Sequence, residues 1–208
     1  MAGIGLSMRA REDPDPRQPG PDPGRPFPSA PWLDERMFEH RMVLVRGRID
    51  AALANHVAGV LLVLGRSGSE PVHMHLSAPD GELSAAFAIA DAIEVAGVAV
   101  HAVVTSEVGG AALAVLAAAH RRTALAHARI RLAEPRVDPL SGTADEVTAA
   151  AGRYLRDLDE LIVRLAEVTG QPRNRIEDDL SAGRILSATE AVEYGLIDEI
   201  AGRDTPRG

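Results

Sequence analysis

Residues Val103–Arg122, VVTSEVGGAALAVLAAAHRR, join a β-branched run to an alanine-rich helix through a Gly109-Gly110 turn. A strand, a tight elbow and a helix in that order is where many hydrolases hold a nucleophile above backbone N–H groups. Here the elbow residues have no side chains, so the turn itself offers only its amides. The nearest hydroxyl is Ser106, three residues before Gly109, with Glu107 next to it. A serine becomes a nucleophile only with a base within hydrogen-bond reach. The neighbouring histidines, His101, His120 and His127, are scattered around the elbow and each reads as structural.

Other stretches carry weaker chemistry. HMH sets His73 and His75 on one face of a strand, a spacing able to hold a metal. No third ligand accompanies them in sequence, and strand histidines are more often simply accommodated. APDGELSAA is a strand-turn-helix junction in which Gly81 and its neighbouring amides form a candidate anion nest, or an ordinary turn. EDDL gathers Glu177, Asp178 and Asp179 near a helix end, where carboxylates either orient a histidine or face water. No glycine-rich nucleotide-binding pattern is present.

Composition excludes more than it suggests. The chain has no Cys, which removes thiol nucleophiles, Fe–S clusters, Cys-zinc sites and disulfides. It has no Lys either, which removes Schiff-base chemistry, Ser–Lys dyads and a phosphate-binding lysine. With 3% aromatic residues, stacking on nucleic-acid bases is not expected. A net charge of −8 argues against polyanionic partners and suits a cytoplasmic protein. The most apolar window, around Ala111 to Ala119, is about half the ~20 residues a membrane span needs, and the N-terminus shows no signal pattern.

These residues must be positioned by elements whose order is legible. Residues 1–31 are dense in Pro, Gly and charge and are expected to form a disordered tail. Residues 32–208 then read as a single domain, opening with a short amphipathic turn in WLDERMFEHRMVLV that leads into a strand. Asp50 caps a helix bearing Leu53, Val57, Val60, Leu61 and Leu64, expected to stop at Gly65. PVHMHLSAP is a strand, ELSAAFAIADAIEVAG a helix closed by Gly97, VAVHAVVT a strand, GAALAVLAAAH a buried helix, and ARIRLAEP a strand. Such alternation implies βαβ units around a mainly parallel sheet. A long amphipathic helix follows, with Thr143 as N-cap and Gly170 as stop, spanning about 40 Å. A helix that long outreaches a small domain's core and is expected to pack on another subunit. QPRNRIEDDLSAG is a short helix, and LSATEAVEYGLIDEI a helix, turn and strand.

In this order the elements resemble the proteolytic subunit of the ATP-dependent Clp protease over roughly Arg36 to Ile200. The strongest stretch is LAEVTGQPRNRIEDDLSAGRILSATEAVEYGLIDEI, which follows that family's T-G-Q turn, I-E-x-D segment and L-S-A-x-E-A-x-E-Y-G-L-I-D ending. APDGELSAAFAIADAI is similar to its S-P-G-G segment, and RMVLVRGRID to its opening strand. The resemblance implies a crotonase-like α/β fold of Clp type, with stacked βαβ turns as a head and helix 143–169 as a handle. It also implies heptameric rings, paired through the handles, formed with itself or with other Clp proteolytic subunits, and a Clp ATPase as a possible partner. Neither a cofactor nor a metal is implied, and no nucleic-acid or membrane partner.

The family is a Ser-His-Asp endopeptidase, and the resemblance carries its three positions onto this chain unevenly. Its A-S-M-G elbow matches Val108-Gly109-Gly110-Ala111, so Gly109 stands at the serine. Its M-I-H-Q-P strand matches Arg131-Leu132-Ala133-Glu134-Pro135, so Ala133 stands at the histidine. The acid is retained as Asp179. In the glycine pair that helps form the oxyanion hole, Asp80 replaces the first glycine and precedes Gly81, with Gly110 completing the region. Glycine has no oxygen to attack a carbonyl and alanine cannot accept a proton. An acid beside the hole repels the developing oxyanion. The expectation is a catalytically inactive Clp-type subunit that still assembles for protein degradation. Two alternatives are an active serine endopeptidase using Ser106 with His101 or His127, and a crotonase-like acyl-thioester enzyme using the elbow amides. The absence of lysine and the scarcity of aromatics make a coenzyme A site unattractive.

Overall fold

The computed structural model describes residues 31–137 and 142–202. Of the expected tail, residues 1–30 lie outside that range; Pro31 opens the first helix, α1 (Pro31–Glu39). A five-stranded sheet follows the order β1 (Met42–Arg46), β2 (Val72–Ser77), β3 (Val100–Val104), β5 (Arg121–Ala124) and β8 (Glu199–Ile200), every pair parallel. Helices α2 (Ala51–Arg66), α3 (Leu83–Val95) and α4 (Ala112–Ala118) connect successive strands. Their apolar stripes meet the sheet face formed by Val43, Val45, Val72, Met74, Leu76, Val100, Ala102 and Val104, all buried. Strand alternation sends Leu44, His73, His75 and His101 to the other face. The α/β class and mainly parallel sheet are those expected from the sequence.

A second sheet of three strands, β4 (Glu107–Gly109), β6 (Arg129–Leu132) and β7 (Arg184–Ser187), folds against the first. β4 pairs parallel with β6, and β6 antiparallel with β7. The sequence reading finds β6 and misses β4, β5 and β7. Each has three or four residues, too short for a period of two to register, and all three depend on partners distant in sequence.

Asp50 caps α2 as expected, its carboxylate accepting from the Leu53 N–H at 2.8 Å. Gly65 does not stop the helix, which runs on to Arg66 with Ser67 at the cap. The glycine is there for a close approach: a Cβ on Gly65 would lie 1.9 Å from the carbonyl oxygen of Ala96 at the end of α3. Gly97 follows with φ +74 and closes α3 as expected.

The long helix α5 (Ala144–Thr169) has the expected ends. Thr143 and Glu146 form a reciprocal capping box, and the N–H and hydroxyl of Thr143 hold the Glu146 carboxyl below its ordinary range. Its 26 residues extend about 39 Å. Only its C-terminal half is buried, through Leu161, Ile162 and Leu165 against α3, α4 and α6 (Arg173–Ala182). The N-terminal half is tied to the head by Tyr154, whose hydroxyl donates to the Pro135 carbonyl at 2.8 Å, and Leu155 stays 62% exposed. The last helix, α7 (Ala188–Tyr194), leads into β8. Among the described residues no helix is long and apolar enough to cross a membrane.

The α2–α3 contact yields a prediction of reversed sign. In an open helix Gly→Ala stabilises by about 1 kcal/mol. At Gly65 the added methyl meets backbone, and overpacking of that kind costs about 3 kcal/mol or more. Urea denaturation of Gly65→Ala is expected to show a lower midpoint, where Gly59→Ala in the same helix, with open space around it, shows no such loss.

Candidate functional site

The elbow is built from backbone outward. β3 ends at Val104, the chain bends through Thr105 and Ser106, and β4 lays Gly109 beside Arg131 of β6. The Gly109 N–H donates to the Ala78 carbonyl at 3.1 Å, which docks the elbow on the turn after β2. Gly110 follows at φ +54, a conformation costly for residues with a Cβ, and redirects the chain into α4. Every side chain of α4 from Ala112 to Leu116 is fully buried, so the helix cannot shift to accommodate changes at its start.

The two glycines differ in what surrounds them. A Cβ on Gly109 would sit 3.0 Å from the Arg131 carbonyl oxygen and 3.2 Å from that of Pro79. That direction is filled by backbone of β6 and of the turn after β2. A Cβ on Gly110 would make ordinary contacts, 3.6 Å from Asp80 Oδ1 and 3.6 Å from the Pro135 Cα. The position with room for a side chain, beside Asp80 and Pro135, is therefore Gly110, one residue beyond the Gly109 to which the sequence resemblance assigns the nucleophile. Neither residue carries a side-chain oxygen.

Residues far apart in sequence converge around that point. Ala133, half-buried, follows directly on β6 and lies two residues before Pro135. The Glu134 N–H donates to the Leu180 carbonyl at 3.3 Å, bringing α6, and with it Asp179, beside the end of β6. Asp179 has no imidazole to orient. Its carboxylate accepts from the Tyr194 hydroxyl at 2.7 Å and from Arg184 at 3.2 Å, with Arg175 at 3.8 Å. Burial, and then this bond to Asp179, push the Tyr194 hydroxyl well above the ordinary phenol range. Both arginines lie over the Tyr194 ring, 5.2 Å and 5.7 Å from its centroid. The sequence reading misses these partners of Asp179. The one local signal is Arg175, an i, i+4 neighbour of Asp179 on the helix.

Asp80 takes the remaining acceptor role. Its Oδ1 accepts from the Gly81 N–H at 2.8 Å, and its Oδ2 lies 3.8 Å from Arg48 and 3.9 Å from Arg136. The turn carrying it is pinned by an isolated bridge: the Ile49 N–H donates to the Asp80 carbonyl at 3.1 Å and the Glu82 N–H to Ile49 at 2.8 Å. Arg131 donates to the Pro79 carbonyl at 2.9 Å from the other side. The Gly81 amide is thus bonded to the carboxylate of its own neighbour.

The remaining candidates lie elsewhere. His101 is near the start of β3 and Ser106 beyond its end, about 16 Å apart along an extended chain. Among the described residues Ser106 Oγ bonds to no histidine; its backbone carbonyl accepts from Arg129 at 2.8 Å. His73 meets His101 edge-on at 5.6 Å, and His120 Nδ1 accepts from the Val100 N–H at 3.2 Å. Glu177 pairs with Arg173 at 2.8 Å. Among the described residues no three His, Asp or Glu side chains gather as metal ligands.

Comparison with known proteins agrees with this geometry. A family model described as Clp protease matches residues 31–204. ATP-dependent Clp protease proteolytic subunit 1 of Bifidobacterium longum (strain NCC 2705) is 33% identical over 168 residues, covering 79% of this chain and 72% of that protein.

The two elbow glycines are distinguished by substitution. Gly109→Ser is expected to cost about 1–3 kcal/mol, because the added atoms press on sheet backbone. Gly110→Ser is expected to cost about 1 kcal/mol, the conformational penalty of φ +54 alone. Paired thermal melts check the order; a larger loss at Gly110 would contradict the packing described.

Proposed function

The chain belongs to the Clp protease family, and within it we propose that this member is a non-catalytic proteolytic-subunit homologue, retained for assembly rather than for peptide hydrolysis. The observation that carries the reading is the Asp80 carboxylate. It accepts from the Gly81 N–H at 2.8 Å and stands 3.6 Å from the Cβ direction of Gly110. The groups that would attack, accept a proton and bind an oxyanion are thus absent or occupied. Nucleophilic attack at a carbonyl needs an oxygen or sulfur, a base for its proton, and donors for the developing negative charge. Gly110 and Gly109 supply no nucleophile, Ala133 no base, and Asp80 places a negative charge where the donors would point.

Assembly is supported by α5. Its N-terminal half carries Leu155 in the open, and Val163 is 39% exposed. A long amphipathic helix buried along only half its length is stabilised by a second apolar surface. On this reading α5 packs against the same helix of another subunit, in rings of like or mixed Clp proteolytic subunits in the cytoplasm, with a Clp ATPase as a candidate partner.

Purified full-length protein is expected to show no labelling by a fluorophosphonate probe; clear labelling of any serine would sink the inactive reading. The double variant Gly110→Ser/Ala133→His is expected to stay unlabelled while Asp80 still holds the Gly81 amide. Adding Asp80→Gly is expected to restore labelling.

Native mass spectrometry is expected to find the protein in multiples of its subunit mass, alone or with active relatives. Leu155→Arg is expected to shift it toward smaller species. A strictly monomeric protein at all concentrations would overturn the assembly reading.

A further inference from the structure

We propose that Met42, His73 and His101, one donor side chain from each of three adjacent strands, form a binding site for a soft monovalent cation, copper(I). The sequence offers the two histidines of HMH and no third ligand beside them. Sheet pairing supplies what the sequence lacks. Met42 of β1 stands opposite His73 of β2, and His73 opposite His101 of β3, in one register row. Neighbouring strands lie about 4.8 Å apart, and side chains of alternate residues leave the sheet on the same face. A thioether and two imidazoles therefore rise side by side, with His73 in the middle. His73 is exposed, and Met42 and His101 are half-buried. His75 belongs to the next row, between Leu44 and Val103, where its cross-strand neighbours are hydrocarbon.

The separation of the two rings fits a shared ion. The His73 and His101 centroids are 5.6 Å apart, with the ring planes at 79°. An ion bonded at about 2.0 Å to one nitrogen of each ring, at a trigonal angle, holds the centroids about 5.5 Å apart. Binding then needs turns about side-chain bonds, which the exposed His73 is free to make. Met42 has room to follow, because with Met37, Phe38 and Val60 it borders a hollow of about 390 Å³.

The donor set chooses the ion. Among the described residues no three His, Asp or Glu side chains gather as a metal cluster, so the third donor is the thioether. Thioether sulfur is a soft donor that selects copper(I), whereas imidazole serves copper and zinc alike and hard cations take oxygen. The chain has no Cys, so no thiolate competes for a soft ion. Met74 is fully buried on the opposite face of β2. A net charge of −8 draws cations to the molecule. Within the row, Arg121 of β5 follows His101 and is paired with Glu199 at 2.7 Å, and Arg46 stands at the far end of β1. Beside those arginines a single positive charge is repelled less than a double one.

The test uses tag-free full-length protein and copper(I) held by the weak chromogenic chelator ferrozine under anaerobic, reducing conditions. One equivalent of copper(I) is expected to pass from the chelator to the protein. With silver(I) as a redox-inert stand-in, the NMR signal of the Met42 methyl group is expected to move while that of Met74 stays in place. Met42→Leu is expected to weaken copper(I) binding by about tenfold or more, since leucine fills similar space without a lone pair. His73→Gln/His101→Gln is expected to abolish transfer from the chelator, and His75→Gln to leave it unchanged, with circular dichroism showing each variant folded. No transfer to the wild-type protein, undiminished binding by folded Met42→Leu, or zinc(II) bound as tightly as copper(I) in calorimetry would overturn the proposal.

Discussion

The turn from Pro79 to Gly81 is gripped by the backbone of Ile49 and by the side chain of Arg131, and the candidate site takes its character from that grip. The Ile49 N–H donates to the Asp80 carbonyl at 3.1 Å, the Ile49 carbonyl accepts from the Glu82 N–H at 2.8 Å, and the Arg131 side chain holds the Pro79 carbonyl. The elbow attaches one residue upstream, through Gly109 and Ala78. With the main chain fixed, the Asp80 side chain has a short path to the Gly81 N–H and takes it. Charge-assisted bonds of this kind are shorter and stronger than neutral ones. Arg48 and Arg136 stand close enough to offset part of the charge without replacing that contact. A flexible turn would let the carboxylate swing into water and leave the amide free.

Close packing of small residues makes such rigidity available to a chain with few aromatic rings. α4 is an alanine-rich helix buried on all sides, and α2 approaches α3 so closely that Gly65 has no room for a methyl group. Short side chains bring backbones together and leave less volume for any one side chain to reorganise. The same economy leaves the head with little apolar surface to cover α5, and its N-terminal half projects with Leu155 exposed. On the proposed reading, what the core leaves uncovered is what assembly uses.

Asp179 is held in the structure by neighbours of its own. Asp179 joins Tyr194, Arg184 and Arg175 in one cluster of hydrogen bonds, ion pairs and cation–ring contacts that ties α6 to β7 and α7. The Tyr194 hydroxyl and the Asp179 carboxylate satisfy each other there, which gives an acid at this position a structural role. His73, His75 and His101 lie instead on the outer face of the five-stranded sheet.

The sequence by itself determined the start of α2, both ends of α5 and the parallel α/β class. These depend on local chemistry: Asp50 and Thr143 as caps, Gly170 as a stop, and the alternation of strand and helix patterns. The short strands β4, β5 and β7 were not legible, because each is held by a partner distant in sequence. Gly65 read as a helix stop, since a glycine demanded by another helix looks the same as one demanded by a turn. The tertiary structure alone decided which elbow glycine faces Asp80 and Pro135. It alone showed that Asp80 occupies the Gly81 amide and that Asp179 belongs to Tyr194. Each of these is a matter of direction in space within a few ångströms, set by backbone pairing between segments that the sequence keeps far apart.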